Sequence, residues 1–264
     1  MSSTQQKSDR LNLLRQMTPA RVALGRAGGS LPTAEVLSFS AAHAQARDAV
    51  GTELDVGALS RELASSLGLQ TMKLASAAKD RREYLLRPDA GRRLDEASRR
   101  VLDEVTADFR GKDLCIIVSD GLSALAAQRQ AAPLLRELLP RLNESRISLG
   151  PLCVVKLGRV AVEDEVGQAL RAKAALILLG ERPGLGSPDS LGAYLVFDPL
   201  AGPRTDADRN CVSNIRPEGL SFAPAATTLH YLIAESLRRK LSGVRLKDER
   251  ALPTAGQNKN AAMT

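Results

Sequence analysis

Aromatic side chains are nearly missing from this sequence, which has no tryptophan, three tyrosines and four phenylalanines in 264 residues. Stacking platforms for bases are therefore scarce, and no nucleic-acid-binding motif is present. The net charge of +7 thus points away from DNA or RNA and toward a basic surface facing an acidic protein partner. Histidine is rarer still: His43 and His230 are the only two, which excludes a histidine-rich metal centre. No Cys-x-x-Cys or His-x-x-x-His spacing occurs either. Cys115, Cys153 and Cys211 lie far apart and offer no paired framework, so free thiols in a reducing interior are expected. No run reaches the roughly 18–20 apolar residues of a membrane-spanning helix. The segment Met1–Lys7 lacks the hydrophobic stretch of a secretory signal, so none is expected.

What is present is the composition of a soluble globular chain, 44% hydrophobic and 25% charged, with a core that must be built from Leu, Ala, Val and Ile. Basic residues cluster at 1–26 and at 236–250. The first third reads as helical. Thr33 is positioned as an N-cap for a helix to about Val50, a second helix spans about Asp55–Ser66, and a third about Arg92–Ala107. The pattern then changes. Residues 113–119, 152–157, 175–179 and 193–197 are short continuous apolar runs of the kind that form strands buried on both faces. Helical stretches alternate with them: about 123–139, where Pro133 is expected to kink or divide the helix, then about 160–172, and about 224–241 at the end. Strand–helix alternation predicts an α/β chain: a Rossmann-like layered parallel sheet over 110–250, preceded by a smaller helical N-terminal region (1–109) and followed by a flexible C-terminal tail (251–264). Ligands of such sheets sit at the carboxyl ends of the strands, which singles out 119–123, 158–161, 180–192 and 198–222.

The familiar motifs for those positions are absent. Ser119-Asp120-Gly121-Leu122-Ser123 is not a dinucleotide-binding glycine loop, and no Gly-Lys-Ser/Thr phosphate cradle occurs. Ser123 follows a strand and opens a helix, yet its flanks are not those of a nucleophile elbow, and His230 lies mid-helix. The unusual segments are the loops 180–192 and 208–219, long and rich in Gly, Pro and hydrogen-bonding groups. A stand-alone Rossmann-like nucleotide- or small-molecule-binding module is the alternative that these features leave open.

These two loops resemble the small (light) subunit of ethanolamine ammonia-lyase, an adenosylcobalamin-dependent enzyme. The resemblance extends in order through Thr18–Ser30, Ala41–Val50, Tyr84–Asp89 and Ser119–Ala124. It implies radical chemistry that converts ethanolamine to acetaldehyde and ammonia, begun by cobalt–carbon homolysis and hydrogen abstraction. It also implies a large catalytic subunit as partner in a hetero-oligomer, with this chain inactive alone and covering one side of the cobalamin. Carried over by motif, cobalamin contacts fall on Val160 (in Leu157-Gly158-Arg159-Val160), Glu181 (in Gly180-Glu181-Arg182-Pro183) and Cys211 (in Asn210-Cys211-Val212-Ser213-Asn214). No catalytic residue or metal ligand is assigned to this chain. Neither histidine stands in the Asp-x-His-x-x-Gly context that replaces the cofactor's own base, so that base is expected to remain on cobalt. The resemblance further implies a cytoplasmic protein of a family often packaged in a bacterial microcompartment; Leu11, Leu13, Leu14 and Met17 fit either a short amphipathic packaging helix or an ordinary frayed tail.

Overall fold

The structure, a computed structural model, describes residues 11, 13–18, 20–199 and 204–250. The tail expected at 251–264 lies outside them. Six strands alternate with helices: α1 (Thr33–Gly51), α2 (Val56–Leu67), β1 (Thr71–Ala75), α3 (Arg81–Leu86), α4 (Glu96–Asp103), β2 (Leu114–Ser119), α5 (Ala124–Glu144), β3 (Leu149–Lys156), α6 (Val162–Ala169), β4 (Ala174–Gly180), β5 (Leu191–Phe197), β6 (Arg209–Ile215) and α7 (Phe222–Arg239). The strands form one sheet in the order β1-β3-β2-β4-β5-β6.

The fold is mixed α/β, and the expected wholly parallel sheet is corrected in two ways. First, β1, β3, β2 and β4 are parallel, but β5 pairs antiparallel with β4 and with β6. The reason is connection length. A parallel return needs a crossover of about a dozen residues or more, usually helical, whereas residues 181–190 hold only a loop. Second, the sheet has two strands that the sequence pattern does not reveal. Thr71–Ala75, within the segment read as helical, pairs with β3 from Thr71↔Leu152 to Ala75↔Lys156. Arg209–Ile215, read as part of a loop, closes the other edge.

Every residue of β2 and β4 is buried, so their apolar runs serve two cores at once. Ile116, Val118, Leu176 and Leu178 face α2, α5 and α7, whereas Cys115, Ile117, Ala175 and Ile177 face α4 and α6. Ser123 caps α5 by accepting from the Ala126 N–H at 3.2 Å. The helix then runs unbroken through Pro133 and Pro140. The i−4 partners of the two prolines, Arg129 and Arg136, are exposed, so the freed carbonyls can turn to water while Leu134, Leu135 and Leu138 stay in the core. Thr33 begins α1 but does not cap it; the preceding residue is Pro32, and no side chain caps that end. The third helix is also shorter than its pattern suggests, capped by Asp95 and ending at Asp103.

The exit from β2 passes very close to the end of β4. Leu122 N–H donates to the Gly180 carbonyl at 2.9 Å, and a Cβ on Gly180 would collide with the backbone carbonyls of Asp120 and Ser123. Gly180→Ala should therefore destabilise the fold by about 1–3 kcal/mol or more. Gly186→Ala, which meets no atom within 4 Å, should change it by less than about 0.5 kcal/mol. Urea midpoints of the two variants check this contrast.

Candidate functional site

The loops after β2 and β3 form the crevice where a parallel sheet ordinarily receives a ligand. Here the chain fills it with its own side chains. Asp120 is fully buried, and its Oδ1 accepts from the Leu157 N–H at 2.7 Å and the Ser119 hydroxyl at 3.2 Å. From α3, Arg81 donates to the Gly121 carbonyl at 2.6 Å and the Val50 carbonyl at 2.7 Å, with its guanidinium 3.5 Å from Asp120. Tyr84 is buried between two guanidinium groups, Arg81 at 4.9 Å and Arg159 at 4.4 Å from its ring centre. The Ser123 hydroxyl donates to the Pro188 carbonyl at 2.8 Å as well as capping α5, so it is committed to structure.

The open surface lies further along the sheet, over β5 and β6. One face of these strands is covered by α7. On the other, Tyr194 is half-buried and Cys211 is exposed, and the two stand directly opposite each other in the ladder. Among the described residues, α6 reaches this face by its first turn, through ion pairs to Arg209. Gly192, Val196 and Arg209 on the same face are buried, Val196 in the cluster that includes Val162 and Val166 of α6, so among the described residues the uncovered part is the strip around Tyr194 and Cys211.

Glu181 stands at the rim of that face. It leaves β4 after Gly180, and its backbone N–H donates to the Ser190 carbonyl at 2.9 Å. Its Oε2 accepts from the Ser190 hydroxyl at 2.5 Å and from the Asn214 N–H at 3.2 Å. A bulge in β6 frees that amide. The register steps from Ala193↔Val212 to Leu191↔Ile215, and Asn214 takes a left-handed φ of 58°. The loop that carries Glu181 is braced from behind by α5, where Arg129 and Gln130 both reach Asp189 at 3.2 Å. Oε1 of Glu181 accepts no hydrogen bond among the described residues and is free to take one from outside.

Partial burial raises the pKa of the Cys211 thiol, opposed by the adjacent Tyr194 hydroxyl and reinforced by the Glu181 charge. Burial likewise drives the Tyr194 hydroxyl well above its ordinary value, with the neighbouring Cys211 and Glu181 adding to the effect. Both groups are thus neutral donors or contact surface at neutral pH rather than nucleophiles.

Glu181 and Cys211 therefore share one face, joined through Tyr194. Cys211 lies within strand β6 and not in the loop expected for it. Val160 occupies the turn between β3 and α6, two residues before the helix begins, and packs at the border of the same apolar cluster as Tyr194. No hydrogen bond among the described residues joins it to the other two. The sequence reading misses Tyr194, Ser190, Asn214 and Arg209. Tyr194 was detectable, because it is the only aromatic side chain in the middle of an apolar strand run.

The filled crevice generates a pH signature. Desolvation outweighs Arg81 and raises the Asp120 pKa from 3.8 to about 6. Folding therefore favours the protonated acid. The stability this contributes is complete below about pH 4 and is lost as pH rises through about 6. The stability of the wild type relative to Asp120→Asn should accordingly fall by on the order of 2–3 kcal/mol between pH 4 and pH 7. Denaturant titrations of both proteins across that range check it.

Comparison with known proteins agrees with the motif reading. Residues 8–247 match the family model described as ethanolamine ammonia-lyase light chain. The ethanolamine ammonia-lyase small subunit of Azotobacter vinelandii is 57% identical over 237 residues, covering 89% of this chain and 87% of that protein. The small subunit from Pseudomonas aeruginosa is 56% identical, covering 89% and 86%, and that from Ralstonia nicotianae is 53% identical, covering 91% and 88%. With similarity of this depth along nearly the whole sequence, the chain belongs to the ethanolamine ammonia-lyase light-chain (small-subunit) family.

Proposed function

We propose that this chain is the cobalamin-covering small subunit of an ethanolamine ammonia-lyase and that the open strip of β5 and β6 around Tyr194 and Cys211 is the seat of the corrin. The observation that carries this reading is the combination of that open strip with a carboxylate at its rim that keeps one oxygen free. The donor chemistry fits the group. The edge of a corrin bears primary amides, which donate to carboxylates, and its ring is a broad apolar surface.

Each side chain has a defined part. Glu181, held by Ser190 and Asn214 through Oε2, would accept an amide N–H at Oε1. Cys211 has a small side chain, and its neutral sulfur would offer the group a polarizable contact. Val160 would supply an apolar wall at the border of the core, and Tyr194 fills the floor between them. The bound group supplies a carbon-centred radical, the species that starts the conversion of ethanolamine to acetaldehyde and ammonia. This chain brings no acid–base pair to that conversion. Its residues orient the group, exclude water from one side of it and leave the opposite side to a large catalytic subunit in a hetero-oligomer. Residues 11 and 13–17 are helical, with Leu11, Leu13, Leu14 and Met17 exposed, which supports a role in packaging the cytoplasmic enzyme into a bacterial microcompartment.

Two measurements test the reading. With adenosylcobalamin and ethanolamine present, acetaldehyde should form only when this chain and its large subunit are mixed. Turnover by the isolated chain, or full turnover by the large subunit alone, contradicts it and favours a stand-alone binding module. Glu181→Ala should weaken cobalamin binding by the assembled complex about tenfold or more, the loss of one charge-assisted hydrogen bond. Unchanged affinity removes Glu181 from the site.

A further inference from the structure

Strand β6 is an edge strand, held by a ladder on one side only. At its start Arg209 is almost completely buried and points to the same face as Cys211, two residues on. Its guanidinium meets the first turn of α6. Nη1 donates to Glu163 Oε1 at 2.5 Å and to Asp164 Oδ1 at 2.9 Å, and Nη2 donates to Asp164 Oδ2 at 2.6 Å. Glu163 is fully buried and lies three residues after Val160. One forked side chain thus spans the two segments that carry Val160 and Cys211, which are far apart in sequence.

A buried ion cluster is weak support for stability, because removing charges from water costs about as much as their attraction returns. This one is not even fully satisfied, since Glu163 Oε2 has no hydrogen-bond partner among the described residues. What the cluster does supply is geometry. The fork accepts one arrangement of two carboxylates, both in a helix first turn, where negative charge is favoured. α6 packs on β5 through the cluster of Val162, Val166 and Val196, and among the described residues these charges tie its first turn to the edge strand beyond.

We infer that Arg209, with Glu163 and Asp164, is a positioning clamp that fixes the spacing between the Val160 turn and the Cys211 strand, and so the width of the corrin seat. The inference rests on the reading of that face as the seat. Arg209 itself does not touch the cofactor; it holds two contact segments at a set separation.

The test uses the assembled complex of both subunits with cyanocobalamin, which probes corrin binding without turnover. Equilibrium dialysis gives the affinity, and size-exclusion chromatography reports assembly. Arg209→Met should raise the dissociation constant about tenfold in a complex that still assembles, and Arg209→Lys, which keeps the charge but loses the fork, should recover part of the loss. A merely structural role would move the melting temperature and leave cyanocobalamin affinity alone. An Arg209→Met complex that binds within about twofold of the wild type overturns the clamp. Should Arg209→Met fail to assemble, the double variant Glu163→Gln/Arg209→Met decides, because it leaves no buried carboxylate at position 163 unpaired. Weakened binding there supports the clamp, whereas wild-type affinity or failed assembly overturns it. Cys211→Trp in the same assay separates the two readings. If it weakens binding and Arg209→Met does not, the clamp alone falls; if neither has any effect, the corrin seat falls with it.

Discussion

The connection from β4 to β5 is too short to hold a helix, and much of this molecule follows from that limit. With only residues 181–190 to turn in, the chain must fold straight back, so β5 runs antiparallel and no crossover helix is laid over it. Up to β4, each strand is followed by an element that covers one face or the other. Beyond β4 the pattern changes: α7 covers one side of β5 and β6, and on the other side, among the described residues, α6 buries Val196 and reaches Arg209 with its first turn while Tyr194 and Cys211 stay open. A half-covered sheet extension is unfavourable alone and well suited to a large flat ligand or a second subunit. The same loop that forces the reversal carries Glu181 to the rim of the face it exposes.

An exposed extension must still be stiff if it is to position anything. Three local devices make it so. Ser123, Arg129 and Gln130 hold the 181–190 loop against α5. The β6 bulge places Asn214 in the left-handed region and presents its amide to Glu181, tying the end of β6 to the end of β4 across β5. Arg209 holds the beginning of β6 to α6. Both ends of the edge strand are thereby fixed by side chains rather than by a second ladder. That arrangement leaves Cys211, in the middle of the strand, exposed and its neighbour Tyr194 on β5 half-buried.

The legible part of the fold was its interior. Strands β2 to β5 occupy positions with neighbours on both sides, and their apolar, β-branched runs such as Leu-Cys-Ile-Ile-Val and Ala-Leu-Ile-Leu-Leu are demanded by burial on two faces. The two strands that went unread are the two edges. In β1 only Leu74 is buried, and in β6 only Arg209, Val212 and Ile215 are. An edge strand with one bare face has little reason to be apolar, so hydrophobic patterning carries almost no signal for it. The antiparallel turn at β5 was legible in principle, since loop length alone excludes a helical crossover, but strand–helix alternation up to that point favours continuation.

Two of the three motif-derived residues stand where the carboxyl-end rule for parallel strands directs attention, because Val160 follows β3 and Glu181 follows β4. It does not account for Cys211, which lies in the body of β6. Nor does it account for the filling of the central crevice, where Asp120, Arg81 and Tyr84 occupy the space a nucleotide would take. These two departures have one explanation. The buried Arg81 joins the end of α1 to the β2 exit, so the crevice serves to anchor the helical first third of the chain onto the sheet. With that crevice spent on the junction, the antiparallel extension carries the seat proposed above. A flat ring fits a strand face better than it fits a narrow crevice between loops, so the proposed seat and the shape of the proposed cofactor suit the same topology.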